Sequence, residues 1–503
     1  MSHAVIHADA LTYLRGNRWL VQNGFIPKAH AILCDPPYGL AFMGKHWDTL
    51  GPVEFQAWVT EWAELLIDYV HPGALGLFFG GTRTYHRLAT GLEDAGWEIT
   101  DCMMWVQGQG FPKSAAIDKL LDKEAGAARE VVGVGTSGKN RNVLNAALHP
   151  ETFGGPFALT APATPLAARW EGYGTALKPA YETVVVCRAP RGKHTYAALA
   201  REFGTGALAI DAARIGTAQV DDYGRSAAKA DGTKSLNQYT YSGPSGLRVY
   251  DPSPSGRWPA NFALVCACEG DNHADDCPVS VLGKQSGETG NGYRANPSVA
   301  KSTDGDLFWK SDHVHGVRGH DDTGTAARFF YQAKAAAWER EAGLHGFAPP
   351  VSPGHNLSTN ACARCGKRVK ANGSGDKCEC GDLRETVKVS NRANVHPTVK
   401  PIRLAEYLAR LILPPELDTP RRLLVPFAGS GSEMIGARLA GWDAVTGIER
   451  EAEYVALAEA RLAWWAQFAS YDDARAAYEK ERKAKPALVV IEDKPEQIAR
   501  TGR

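Results

Sequence analysis

An open, mainly parallel α/β sheet is the fold this 503-residue sequence predicts, and three observations predict it. The apolar run Ala31-Ile32-Leu33-Cys34 reads as a buried strand, and Pro36 and Pro37 directly after it stop any helix. A second run, Leu423-Leu424-Val425, leads into the glycine loop Pro426 to Ser432, which opens a helix-like segment through Ala440. Glu449 closes the next apolar strand, Ala444 to Ile448, 20 positions after Gly429 (449 minus 429). In that order of parts the glycines let the backbone approach a ligand, and the acid lies at the spacing of a ribose-binding carboxylate.

Each further element can be justified in chain order. Ala4 to Ala8 is a short strand, and Asp9 after it reads as the N-cap of a helix beginning at Ala10. Asp35-Pro36-Pro37-Tyr38 then places a carboxylate and an aromatic ring on a stiff loop at the carboxyl end of a strand, the edge where open sheets bind ligands. Val53 to Val70 is amphipathic, with Trp58 and Trp62 on one helix face and therefore core. Leu75 to Phe79, Ile99 to Val106 and Thr183 to Val186 read as buried strands. Gly108 to Lys113 is a glycine loop carrying a cation, either a phosphate contact or an ordinary turn. Residues 221–258 interleave Tyr with Arg225, Lys229, Lys234, Arg248 and Arg257, either a nucleic-acid contact or a solvated loop. Ile402 to Leu413 and Glu451 to Phe468 have helical periodicity, and the charged stretch beyond 470 predicts a surface helix and a loose tail.

Composition narrows the class. Basic and acidic residues balance at 56 each, so any nucleic-acid partner has to be met by a local basic groove. The first residues carry no basic segment ahead of a long apolar core, and no apolar run reaches a membrane span. Neither a signal peptide nor a membrane partner is expected, and the location expected is the cytoplasm. Seven of the ten cysteines fall between 266 and 380 in two clusters, a distribution that suits metal ligation better than a disulfide framework. Cys362-Ala-Arg-Cys365-Gly366 with Cys378 and Cys380 looks like a zinc knuckle and predicts a structural zinc; Cys266, Cys268, His273 and Cys277 form a weaker second set.

Asp35-Pro36-Pro37-Tyr38 together with Phe427-Ala428-Gly429-Ser430-Gly431 resembles the amino-methyltransferases of DNA in their permuted β arrangement, catalytic motif first and cofactor loop near the C-terminus. Gly80-Gly81-Thr82-Arg83-Thr84-Tyr85, Leu177-Lys178-Pro179-Ala180 and His396-Pro397-Thr398-Val399-Lys400-Pro401 add to the resemblance, which covers roughly residues 1–190 and 390–465. It departs at Val425, where the family usually carries an acid, and at Ser432-Glu433, where two threonines are common.

The resemblance implies a Rossmann-like class I methyltransferase sheet and S-adenosyl-L-methionine as cofactor. Its contacts would be Asp9 (beside the adenine), Phe427, Ala428, Gly429, Gly431, Ser432, Glu449, Thr398 and Lys400. It implies duplex DNA as partner, and leaves a homodimer and a cognate restriction nuclease open. The target base would be flipped out of the helix, stacked on Tyr38, with Trp47 a further stacking candidate. Asp35 and the Pro36 carbonyl would accept hydrogen bonds from its amine. Adenine N6 is the expected target because N4-cytosine members more often carry Ser in place of Asp35; cytosine N4 is the near alternative, and a non-catalytic DNA-binding subunit the alternative of another class. The expected organisation is a catalytic half over 1–189, a target-recognition insertion over 190–345 and a zinc-knuckle insertion over 346–390. The cofactor-binding half spans 391–470, and a charged tail spans 471–503.

Overall fold

The computed structural model describes residues 2–40, 50–106, 114–136, 156–215, 257–266, 277–287, 289–290, 323–324, 326–334, 338–345, 347, 359–362, 368–369, 386–389, 393–396 and 398–484. Its centre is a nine-stranded sheet. In chain order the strands are β1 (Ser2–His7), β2 (Ala29–Cys34), β3 (Val70–Gly80), β4 (Glu98–Val106), β5 (Tyr181–Arg188), β6 (Phe262–Cys266), β7 (Tyr331–Lys334), β8 (Arg422–Val425) and β9 (Ala444–Glu449). In space they run β1-β9-β8-β2-β3-β5-β4-β6-β7, and β5 alone is antiparallel to its neighbours.

Side chains alternate across such a sheet, and here both faces are covered. Ala31, Leu33, Leu423 and Val425 belong to one core cluster, while Ile32, Cys34 and Leu424 belong to the other. The second cluster holds helices α1 (Ala10–Gln22), α2 (Pro52–Tyr69) and α3 (Tyr85–Asp94). The first holds α4 (Ile402–Leu411), α5 (Ser432–Ala440) and α6 (Ala452–Trp465). Trp62 is fully buried, as its helical spacing with Trp58 predicts. Gly436 lets α5 lie directly on α4, since a Cβ there would come within 2.5 Å of the Ala405 backbone.

The two motif-bearing strands are neighbours. β8 pairs with β2 in parallel, Leu423 beside Ala31 and Leu424 beside Ile32. From β2 the chain goes on to β3 on one side, and from β8 it goes on to β9 on the other. The sheet therefore has its switch point between these two strands, and a crevice opens there at their carboxyl ends.

Two features extend the sequence reading. The segment 190–345, expected as a separate insertion, supplies β6 and β7 to the far edge of the sheet. The helix Tyr471–Ala484, expected on the surface, buries Tyr471 and Ala474 in the core. Between β4 and β5 lies a small unit, helix Ile117–Glu124 and the paired strands Val131–Thr136 and Pro156–Thr160. There Arg129 bridges Asp118 at 2.8 Å and Asp122 at 2.5 Å. Among the described residues no helix is long and apolar enough to cross a membrane.

Candidate active site

Both prolines after β2 hold the Asp35 carboxylate and the Tyr38 ring at the mouth of the crevice, because the chain there can neither coil nor donate backbone hydrogen bonds. Gly81 leaves room for the ring: a Cβ on it would meet Tyr38 Cδ2 at 3.2 Å and Leu40 Cδ1 at 3.1 Å. Lys400, immediately ahead of α4, reaches across from the other half of the chain. Its Nζ donates to Asp35 Oδ1 at 2.9 Å, to Asp35 Oδ2 at 2.8 Å and to the Tyr38 hydroxyl at 3.1 Å. Tyr38 Oη in turn lies 2.9 Å from Asp35 Oδ1 and 2.9 Å from Glu182 Oε2, and Lys400 Nζ lies 3.3 Å from the same Glu182 oxygen.

This cluster is charged and nearly dry. Burial pushes the Asp35 carboxyl up from its ordinary range, Lys400 pulls it down and Glu182 pushes it up again, with a net rise. Burial alone would lower the Lys400 pKa, yet Asp35 and Glu182 together hold it above its ordinary value. Burial and the two carboxylates hold the Tyr38 phenol protonated. An ionised carboxylate offers about four lone-pair sites. Lys400 takes one position on each Asp35 oxygen, and the single Tyr38 hydrogen is shared between Asp35 Oδ1 and Glu182 Oε2.

The second wall of the crevice is the glycine loop. Gly429 and Gly431 adopt left-handed backbone angles, φ 51° and 80°. A side chain at 429 would also strike the His396 ring, whose Nε2 lies 2.8 Å from a built Cβ. Burial drives the His396 pKa down to about 3, so the ring is neutral. Phe427 packs between Trp58 and Trp62, ring centroids 5.6 and 5.8 Å away. Ala428 is buried, and its N–H donates to the Ile448 carbonyl at 2.9 Å, which ties the loop to β9. Glu449, at the end of β9, accepts from the Gly429 N–H at 2.8 Å and the Glu451 N–H at 2.8 Å.

Arg461 on α6 fixes the loop from beneath. It is wholly buried, and its guanidinium donates to the Ser430 carbonyl (2.5 Å), Ser430 Oγ (2.9 Å), Ser432 Oγ (3.1 Å) and the Glu339 carbonyl (3.0 Å). Glu433, in the first turn of α5, is 4% exposed. Burial first, then the nearby Asp35 charge, pushes its carboxyl up to about 7.

The structure brings most of the expected residues together. Asp9 caps α1, accepting from Thr12 N and Oγ1 at 3.0 Å each, and lies beside Glu449 because β1 and β9 pair in register. Thr398 is exposed next to His396. Lys400, expected on the cofactor, has its ammonium on Asp35 instead, where the buried carboxylates draw it. Val425 is fully buried and presents no polar group to the crevice.

Glu182 and Arg461 were missed. Glu182 stands at the start of the run Thr183 to Val186, but only the antiparallel direction of that strand, which the sequence does not show, brings it to the edge where the parallel strands end. Arg461 carried no signal beyond being a cation in an apolar helix. Of the metal-ligand candidates, Cys268, His273, Cys365, Cys378 and Cys380 lie outside the described residues, as do the side chains of Cys266 and Cys362. Trp47 and the loop Gly108 to Lys113 lie outside them too. Cys277 is buried against Leu264, Val279 and Ala327 at the start of a helix. Among the described residues no group of three His, Cys, Asp or Glu could hold a metal ion.

The profile of the DNA methylase family N6_N4_Mtase matches residues 29–460. No curated protein matches the chain. Among solved structures, the chain is similar to the M1.HpyAVI–SAM complex at 12% identity, with 92% of this chain and 98% of that one covered and a TM-score of 0.32. It is also similar to PvuII DNA methyltransferase (cytosine-N4-specific) at 11% identity, with 96% and 94% covered and a TM-score of 0.35.

Proposed function

We propose, for a chain that belongs to the DNA methylase family, that this crevice methylates the exocyclic N6 amine of an adenine flipped out of duplex DNA. The observation that carries the reading is the Asp35 carboxylate, held by Lys400 and Tyr38 after β2, the strand that pairs with the glycine-loop strand β8 at the switch point of the sheet. The residues of the glycine loop suit S-adenosyl-L-methionine. Gly429 and Gly431 would allow close approach, Glu449 would hold ribose hydroxyls with its remaining lone pairs, and Phe427 and Asp9 would hold the adenine. When bound, that cofactor supplies an electrophilic methyl group on a sulfonium.

An exocyclic amine is a poor nucleophile because its lone pair is delocalised into the ring. Asp35 accepts one amine hydrogen and the Pro36 carbonyl accepts the other, which turns the lone pair out of the ring plane and towards the methyl donor. Positive charge then grows on nitrogen as its bond to the methyl carbon forms and the methyl's bond to sulfur breaks. A carboxylate held in place beforehand would stabilise it without having to reorganise, and the extra nitrogen proton would then pass to that carboxylate or to solvent. The Tyr38 ring stacks on the extruded base and sets its plane, so that positioning supplies much of the acceleration.

The test is methyl transfer from labelled S-adenosyl-L-methionine to unmethylated duplex DNA, wild type beside Asp35→Ala, followed by nucleoside analysis. N6-methyladenine that disappears in the variant supports the proposal. N4-methylcytosine keeps the mechanism and changes the base. No transfer by folded wild type makes the chain a DNA-binding subunit.

A further inference from the structure

Lys400 raises an electrostatic difficulty for the proposed transfer. Its ammonium touches both oxygens of Asp35, so the two charges cancel just where positive charge must grow on the substrate nitrogen. A neutral pair in a dry crevice would offer that nitrogen little. Glu182 changes the sum. It stands 3.3 Å from Lys400 and 2.9 Å from the Tyr38 hydroxyl, so two carboxyl groups share one ammonium.

We infer that Glu182 is a positioning residue for methyl transfer: by drawing Lys400 and the Tyr38 hydroxyl towards itself, it leaves Asp35 with uncompensated negative charge and an open acceptor for the target amine. The inference rests on the function proposed above. Three points of geometry support it. β5 runs against its neighbours, which brings its first residues, Tyr181 and Glu182, to the edge where β2 delivers Asp35. Tyr38 Oη has one hydrogen and two carboxylate oxygens at equal distance, so without Glu182 it would be committed to Asp35. The Glu182 side chain is 28% exposed against 12% for Asp35, so Glu182 is the better hydrated of the two.

The charged and titratable groups facing Asp35 are Lys400 ahead of α4, Glu182 on β5, Tyr38 on its own loop, Glu433 in the first turn of α5 and Cys34 at the end of β2. Of these, Glu182 raises the Asp35 pKa and Lys400 lowers it. Removing the Glu182 charge while keeping its shape should therefore move the acid limb of the reaction to lower pH, even as the reaction slows.

Single-turnover methyl transfer to duplex DNA, measured across pH with Glu182→Gln and Glu182→Asp, tests this. The expected result for Glu182→Gln is a rate lower by roughly tenfold to a hundredfold. Its acid limb should move down by about one pH unit, with cofactor affinity unchanged. Glu182→Asp, which keeps the charge, should keep the limb in place and recover part of the rate. A Glu182→Gln enzyme with wild-type rate and limb overturns the inference. So does an equal loss in both variants with an unmoved limb, which would reduce Glu182 to packing. Should Glu182→Gln fail to melt cooperatively, the limb in Glu182→Asp decides: an unmoved limb with partial rate supports the inference, a moved one overturns it. Failure of the functional proposal itself reads differently, as wild type that transfers no methyl group to DNA.

Discussion

The ammonium of Lys400 grips both oxygens of Asp35, at 2.9 and 2.8 Å, across 365 positions of sequence. One contact thus joins the Asp35–Tyr38 loop to the half of the chain that carries the glycine loop, and it opposes the upward push that burial gives the carboxyl.

Lys400→Met should leave Asp35 to burial and to Glu182, both of which raise its pKa. The carboxyl would then titrate higher still, and its protonated form would be a weaker acceptor for the amine. Methyl transfer at pH 7 should fall by roughly a hundredfold or more and recover partly as pH rises. A pH–rate profile for the variant checks this, and a profile parallel to wild type would sink it.

Glu433 should make the fold sensitive to pH. Its folded pKa, about 7, lies above the unfolded value of 4.5, so its contribution is fully present below pH 4.5 and is lost as pH rises through 7. Glu433→Gln should flatten that decline, with a gain of roughly 2–3 kcal/mol over wild type at pH 8. Thermal melts of both proteins between pH 5 and 8 would show the two curves diverging; parallel curves would mean the carboxyl titrates normally.

Gly429→Ala forces a side chain into left-handed backbone at φ 51° and against the His396 ring. The cost should be about 1–3 kcal/mol of stability. Because His396 and Glu449 both hold this turn, S-adenosyl-L-methionine binding measured by calorimetry should weaken as well. Gly172→Ala, at a positive-φ turn with open space around it, is the control for backbone strain without loss of binding.

Arg461→Met keeps length and apolar bulk but removes the donors to Ser430, Ser432 and the Glu339 carbonyl. Leaving those acceptors buried and unpaired should cost about 3 kcal/mol or more. Chemical denaturation would read the loss directly, and a stability unchanged from wild type would show that water replaces the guanidinium.

Much of this site could be read in the sequence because its key parts are local. Ala31 to Tyr38 contains its own strand and its own breaker, and Leu423 to Ser432 its own strand and glycines, while the 20-residue step to Glu449 spans one helix. Glu182 and the partner of Lys400 were hidden for the opposite reason. Their contacts, 144 and 365 positions apart, depend on strand order and on the reversal of β5, and no local pattern encodes either. Arg461 was hidden by composition, since a cation in an apolar helix reads as a surface residue until its four acceptors are known.

The adjacency of β2 and β8 also bears on how the chain is made. The centre of the sheet waits for residues 422–425, and β1 pairs, among the described residues, with β9 alone, so it must wait for residues 444–449. Long-range parallel pairing of this kind folds slowly and leaves strand edges unpaired meanwhile. At roughly 5–20 residues per second, the span from β2 to β8 takes about 20–80 seconds to synthesise. For that interval the Asp35–Tyr38 loop exists without Lys400, so its charge cluster is completed only when the second half of the sheet arrives.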